Sequence, residues 1–197
     1  MINQDIMNKF GYSEMYEWSE LFKFDINPFG RFVTFSKEQP GKIVLANDND
    51  KGLILGVTTI NSVMTSDDPN EWQGKYLANE YGDHMFKYVN KANAQLSYDE
   101  RLEMPLITTY KTKDIKPVIN PDFDSTLKYE KRSDRKEWIR VHLLGKCIVT
   151  DNGECEPGKY CTIGENGIAI PFIMPKAIFK YYVIDRLSEN TIMIFFK

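Results

Sequence analysis

The feature that most narrows the fold is an abrupt change of pattern inside residues 121–149, PDFDSTLKYEKRSDRKEWIRVHLLGKCIV. Over residues 122–137 acids and bases nearly alternate with no apolar period, so this stretch is expected to lie extended over a surface, held by Phe123, Leu127, Tyr129 and Trp138. From Trp138 the pattern becomes that of a strand. Trp138, Arg140, His142, Leu144 and Lys146 fall to one side and Ile139, Val141, Leu143 and Cys147 mostly to the other, with Gly145 permitting a bend or bulge. Solvated pairs such as Asp134 with Arg135 are worth only about 0–1 kcal/mol each, which leaves the aromatics as anchors of the arm.

The rest of the chain agrees with a β-rich reading. Asn27-Pro28-Phe29-Gly30 and Gln39-Pro40-Gly41 are turn signals around an alternating run at residues 31–36. Residues 42–46 and 53–59 read as two more strands joined by Asn47-Asp48-Asn49-Asp50, and a three-stranded meander is the simplest arrangement. Residues 12–24 interleave aromatics with acids, in either an extended segment or a short helix; residues 1–9 are either a short helix or a loose arm. Asp67, Asp68, Pro69 and Glu71 open one or two helical turns through Trp72 and Tyr76. Short strands are expected at residues 84–89, 105–110 and 116–119, with residues 92–103 a polar excursion suited to contacting partners. Asp151-Asn152-Gly153 marks a hairpin turn, and residues 181–186 and 191–196 a second hairpin, apolar enough to be fully buried. The expected fold is mainly β: a compact domain of many short antiparallel strands and hairpins, with few short helices and an extended charged arm. Residues 1–10 are expected to be an N-terminal arm and residues 11–197 a single domain, since 197 residues at 42% hydrophobic content suffice for one sizeable core.

Charge and motifs exclude several functions. A net charge of -3 with interspersed signs gives no footprint for nucleic acid or an anionic membrane. No apolar run approaches the roughly 20 residues that span a bilayer, and MINQDIMNKF lacks a signal-peptide layout, so the chain is expected to be soluble and made inside a cell. Cys147, Cys155 and Cys161 fit no zinc pattern and are expected to be buried free thiols on neighbouring strands. Asp48 and Asp50 suit a turn better than a calcium loop, because the distal bidentate glutamate is missing. His84 and His142 are expected to be packed or solvated strand residues. No phosphate loop or dinucleotide fingerprint occurs, and neither cofactor nor metal is expected.

The order Asp124, Tyr129, Arg132, Arg135, Glu137, Trp138, then Leu143, Leu144, Gly145 and Lys146, resembles the C-terminal intramolecular chaperone domain of phage tail spikes and neck appendages, a family described as autoproteolytic. Three further stretches follow its pattern in the same order: Tyr12-Ser13-Glu14-Met15-Tyr16-Glu17-Trp18; Lys42-Ile43-Val44-Leu45-Ala46-Asn47 leading to Ile54-Leu55-Gly56-Val57; and Glu71-Trp72-Gln73-Gly74-Lys75-Tyr76. The resemblance covers residues 11–197, and the ordered set is specific although each piece alone is weak.

What the resemblance implies is a homotrimer, a place in a virus particle after synthesis in the host cytoplasm, and contacts with other virion proteins. It also implies one chemical candidate. In the family the chain cuts itself just before an Asp-Tyr-Ala-Glu type segment whose glutamate is implicated, and Glu14 occupies the matching position. Partial desolvation by Tyr12, Tyr16 and Trp18 is expected to raise its pKa toward neutrality, suiting it to general acid or base work. The alternative is that Glu14 and Glu17 form the solvated side of an aromatic anchor. Phe10-Gly11 replaces the family's serine-aspartate junction, and ten residues precede Gly11, so a cut here frees a short peptide and no fibre. The expectation is therefore a stand-alone structural module of a capsid or tail appendage, with a self-cleaving chaperone acting through Glu14 as the alternative.

Overall fold

The computed structural model describes residues 11–20, 25–50, 54–60, 62–99, 101, 103–173 and 179–197. Both readings of residues 1–9, and the 1–10 arm, lie outside the described residues. The chain forms two compact units, one from Met1–Asn70 with Glu130–Lys197, the other from Glu71–Tyr129.

The first unit is built from β1 (Tyr12–Glu17), β2 (Phe32–Phe35), β3 (Ile43–Leu45), β4 (Ile54–Thr59) and β5 (Met64–Ser66) in its N-terminal part. The second unit contributes β6 (Phe86–Asp99) and β7 (Met104–Pro117). The first unit then continues with β8 (Trp138–Thr150), β9 (Tyr160–Ile163), β10 (Ala169–Pro171), β11 (Tyr181–Ser188) and β12 (Thr191–Phe196). Two single-turn 3-10 helices, Arg132–Asp134 and Glu165–Gly167, are the helices among the described residues. The mainly antiparallel β class thus follows the alternation and turn chemistry of the sequence.

β8 holds the first unit together. It pairs antiparallel with β1, with β4 and with β12 in one ten-stranded sheet, eight strands of which run β10-β9-β11-β12-β8-β4-β2-β3 while β1 and β5 branch from β8. Ile139 and Val141 enter an apolar cluster with Trp18, Val33 and Ile43, whereas Cys147 and Val149 enter another with Phe32, Val183 and Ile194. Between the two lies the bend that Gly145 was expected to permit. Tyr12 pairs with Leu144 but Ser13 with His142, a register shift, and Gly145 itself has φ +103°, where side-chain-bearing residues are strained. The cluster around Phe32 is aromatic at its centre: Phe32 stacks on Tyr181 at 4.9 Å, and Tyr181 on Phe196 at 5.3 Å. Such pairs add roughly 0.5–1.5 kcal/mol each beyond buried area.

Several expectations are corrected. The three strands at residues 31–59 do not form a meander, because β2 lies between β3 and β4. Phe32 and Val33 are both fully buried, as a central strand requires, and the three-residue β3 is left at the edge. The turn at Asp151-Asn152-Gly153 does not close a hairpin, since β8 continues against β12 instead of β9. There the buried Asp151 carboxylate accepts from Arg186 at 2.8 Å and from the Cys155 amide at 3.2 Å, which fixes a longer connection. The β11–β12 hairpin is present but buried on one side only, with Tyr182 and Phe195 exposed. The three cysteines are buried free thiols, but two strands, β11 and β12, separate Cys147 on β8 from Cys161 on β9.

The charged arm is also different. Residues 122–137 run through turns and the Arg132–Asp134 helix, and Leu127, expected as an anchor, is exposed. The anchor is Arg132, which is buried. Its guanidinium pairs with the Asp67 carboxylate, donates to the Asp67 carbonyl at 2.9 Å and lies 3.9 Å from the centre of the Trp138 ring. A cation taken out of water must find such partners, so this pair outweighs the solvated ones around it.

The helical turns expected after Asp67 do not form: residues 68–75, which run from the first unit into the second, are irregular chain, bends and turns, with Gly74 at φ +81°. The short strands and polar excursion expected beyond residue 84 are one continuous hairpin of two 14-residue strands, from Phe86 opposite Pro117 to Asp99 opposite Met104. A two-stranded ribbon meets solvent on both faces, so it shows no apolar period to read.

The aromatic stack predicts the cost of its own loss. Phe32→Ala is expected to destabilise the protein by about 3–5 kcal/mol in urea unfolding, through lost burial and the cavity left against Tyr181 and Phe196.

Candidate active site at the start of β1

Of the two readings of residues 12–24, the extended one holds over β1, Tyr12–Glu17, while residues 21–24 lie outside the described residues. β1 pairs parallel with β5 on one edge and antiparallel with β8 on the other. Alternation turns Ser13 and Met15 into the interior, both buried, and leaves Tyr12, Glu14 and Tyr16 partly exposed on the opposite side.

That side forms a cage around one carboxylate. Tyr12 Oη donates to Glu14 Oε1 at 2.6 Å and Tyr16 Oη donates to Oε2 at 2.9 Å, while Tyr12 Oη also meets Ser66 Oγ at 2.7 Å. Both phenols reach the carboxylate because residues two apart on a strand share a face. The expected rise in pKa is overturned. The Tyr12 hydrogen bond, helped by Tyr16 and Ser66, outweighs partial burial and holds Glu14 below its ordinary value of 4.5. Tyr16, half-buried and facing that negative charge, is pushed up to about 12 and remains a neutral donor. Trp18 takes no part, being buried in the cluster with Val33, Ile43, Ile139 and Val141. Glu17 pairs with Lys42 at 2.8 Å. An open cleft of about 340 Å³ runs past Glu14, Glu17, Lys42, Asp67 and Trp138. A carboxylate held below 4.5, with both oxygens already accepting from phenols, is ionised at neutral pH and only weakly basic, so the cage stabilises a fixed negative charge beside the cleft.

The interior side carries hydroxyls and a histidine. Ser13 Oγ meets Ser62 Oγ at 2.6 Å and Thr65 Oγ1 at 3.2 Å. His142, opposite both Ser13 on β1 and Val57 on β4, is 2% exposed, in keeping with a packed strand residue. Burial holds its pKa below the ordinary 6.5, an effect the Leu144 backbone partly offsets. Its Nε2 is buried and makes no hydrogen bond, and Gly11, at φ +70°, lies directly against it: a Cβ on Gly11 would overlap His142 Nε2 and Cε1. Simple alternation along β8 does not reveal this contact, which lies beside the register shift between Tyr12 and Ser13. His84, in the second unit, is exposed and tilts on the Tyr76 ring at 5.2 Å. The Asn47-Asp50 loop is held by its own turn bonds, Asp50 accepting from the Asn47 amide at 2.9 Å and Asn47 from the Asn49 amide at 3.0 Å. Among the described residues no cluster of three or more His, Cys, Asp or Glu side chains is placed to hold a metal.

The cage sets a titration. With the folded pKa lowered, ionised Glu14 contributes stability above about pH 4.5 that is lost as pH falls through the folded value. Tyr12→Phe with Tyr16→Phe is expected to move the Glu14 midpoint upward in a carboxylate-carbon NMR titration. The stability gap between that variant and the parent should narrow in acid.

Comparison with known proteins gives this geometry a context. A family model described as Peptidase_G2, IMC autoproteolytic cleavage domain, matches residues 5–181. The pre-neck appendage protein of Bacillus phage B103 is 28% identical over 77% of this chain and 15% of its own length, and the preneck appendage protein of Bacillus phage PZA is 29% identical over 75% and 15%. The crystal structure of the bacteriophage phi29 gene product 12 C-terminal fragment superposes with a TM-score of 0.61 at 25% identity, covering 94% of this chain and 99% of that one. The chain therefore spans about a seventh of the length of the curated relatives it matches, and nearly all of that solved fragment. On the match over residues 5–181, the chain belongs to the IMC autoproteolytic cleavage domain family.

Proposed function

We propose that this protein is a structural and assembly component of a phage particle, a homotrimeric module that is made in the host cytoplasm and retained in the virion through contacts with other virion proteins. The observation that carries this reading is the similarity, over three quarters of the chain, to proteins named as pre-neck appendages. The β6–β7 hairpin supports it physically. An isolated two-stranded ribbon is at best marginally stable in water, yet this one presents Phe86, Tyr88, Tyr110 and Ile115 to solvent. Aromatics of this kind anchor interfaces, and covering them with neighbouring copies would stabilise the ribbon.

A second reading, self-cleavage before Gly11 by a chaperone-like domain, is favoured by one feature of the site. Glu14 is held ionised three residues after that junction, in a family described by its autoproteolysis. Native mass spectrometry tests both readings. Three chains per particle support the trimer, and a monomer at every concentration overturns it. Chains that begin at Gly11, with Glu14→Gln restoring full length, establish the cutting; full-length chains throughout retire it.

A further inference from the structure

We infer that the turn at residues 79–83 is an assembly contact, in which Tyr81 of one copy seats in a basic, apolar-walled cleft of the next copy; this rests on the homotrimer reading. The turn is built to present that ring. Tyr81 is 82% exposed, the most exposed large hydrophobic side chain among the described residues. Asn79 fixes the backbone beneath it. Its Oδ1 accepts from the Tyr81 amide at 3.0 Å and the Asp83 amide at 2.9 Å, its carbonyl accepts from the Gly82 amide at 3.0 Å, and its own amide donates to the Asp83 carbonyl at 3.0 Å. Gly82, at φ +88°, takes the left-handed step that closes the turn. An aromatic ring on a fixed turn loses little freedom when a partner covers it, which makes it an effective anchor. Glu80 and Asp83, both exposed, give the anchor a negative surround.

The matching cleft, of about 580 Å³, lies beside the start of β8. Phe29, Ile60 and Trp138 supply apolar surface, with Phe29 38% and Ile60 54% exposed. Arg135, Lys136 and Arg140 line it against one acid, Asp134. Arg135 faces Glu137 at 3.7 Å, but Arg140 donates to the uncharged Ile60 carbonyl at 3.0 Å, so the cleft keeps a positive balance. Exposed apolar surface rimmed by charge marks an interaction surface, and tyrosine is among the residues that anchor one.

Charge also selects this cleft over others. The clefts beside Glu14, along β2 and β3, and at the turn of residues 47–50 each carry more acids than bases, and would repel Glu80 and Asp83. Turn and cleft are different surfaces, so the contact is heterologous. Each copy gives its turn to one neighbour and its cleft to the other, and three such contacts close a ring.

The test is native mass spectrometry of the full chain over a dilution series, with two variants. Tyr81→Ala removes the anchor, and Ile60→Glu sets a carboxylate in the cleft against the acidic turn; both positions are exposed, so both variants are expected to fold as the parent does. Each variant alone should dissociate at a concentration at least about thirtyfold above the parent's. An equimolar mixture should form one-to-one mixed pairs where neither variant pairs with itself, because the intact turn of Ile60→Glu meets the intact cleft of Tyr81→Ala. Variants that stay trimeric over the parent's range leave the cleft to a different partner, overturning the inference while the trimer reading stands. Dissociated variants that form no mixed pairs also overturn it. A parent chain monomeric at every concentration overturns the inference and the trimer reading together.

Discussion

Backbone pairing along β8 is the interaction on which the first unit depends, because β1, β4 and β12 all close on that one strand. Its side chains pass from one apolar cluster to the other on either side of the bend at Gly145. That bend does more than steer a strand. Beside it, between Leu144 and His142, the register opposite β1 shifts, and there Gly11 lies against His142. Fold and site therefore share one irregularity, as bulges beside functional sites commonly do.

The site is built by periodicity on a short strand. Two phenols at positions i-2 and i+2 grip the Glu14 carboxylate, while the intervening Ser13 and Met15 anchor the strand inside. Hydrogen bonding thereby decides the carboxylate's charge against the weaker pull of desolvation. The aromatic residues around Glu14 act as donors here and not as an apolar wall, and that favours the ionised carboxylate over the protonated acid.

Much of this was legible in the sequence. Alternation in residues 138–149, the Gly145 bend, the Tyr181–Ser188 and Thr191–Phe196 hairpin and the buried free thiols all follow from local pattern. What local pattern does not contain is pairing between distant strands. It could not place β2 between β3 and β4, or seat β8 against β12. The long β6–β7 hairpin was hidden by its polarity, and the burial of Arg132 was hidden because its partners, Asp67 and Trp138, come from elsewhere in the chain or beyond an intervening turn. The direction of the Glu14 pKa failed for a related reason: composition names the neighbours but not which of their atoms face the carboxylate.

The central claim, that β8 holds β1 in place and so preforms the Glu14 and His142 arrangement, is tested most directly by amide hydrogen exchange. If β1 is integral to the sheet, the amides of β1 should exchange as slowly as those of β8, through openings close to global unfolding. Exchange of β1 at the rate of an unstructured peptide, with β8 still protected, would contradict the account.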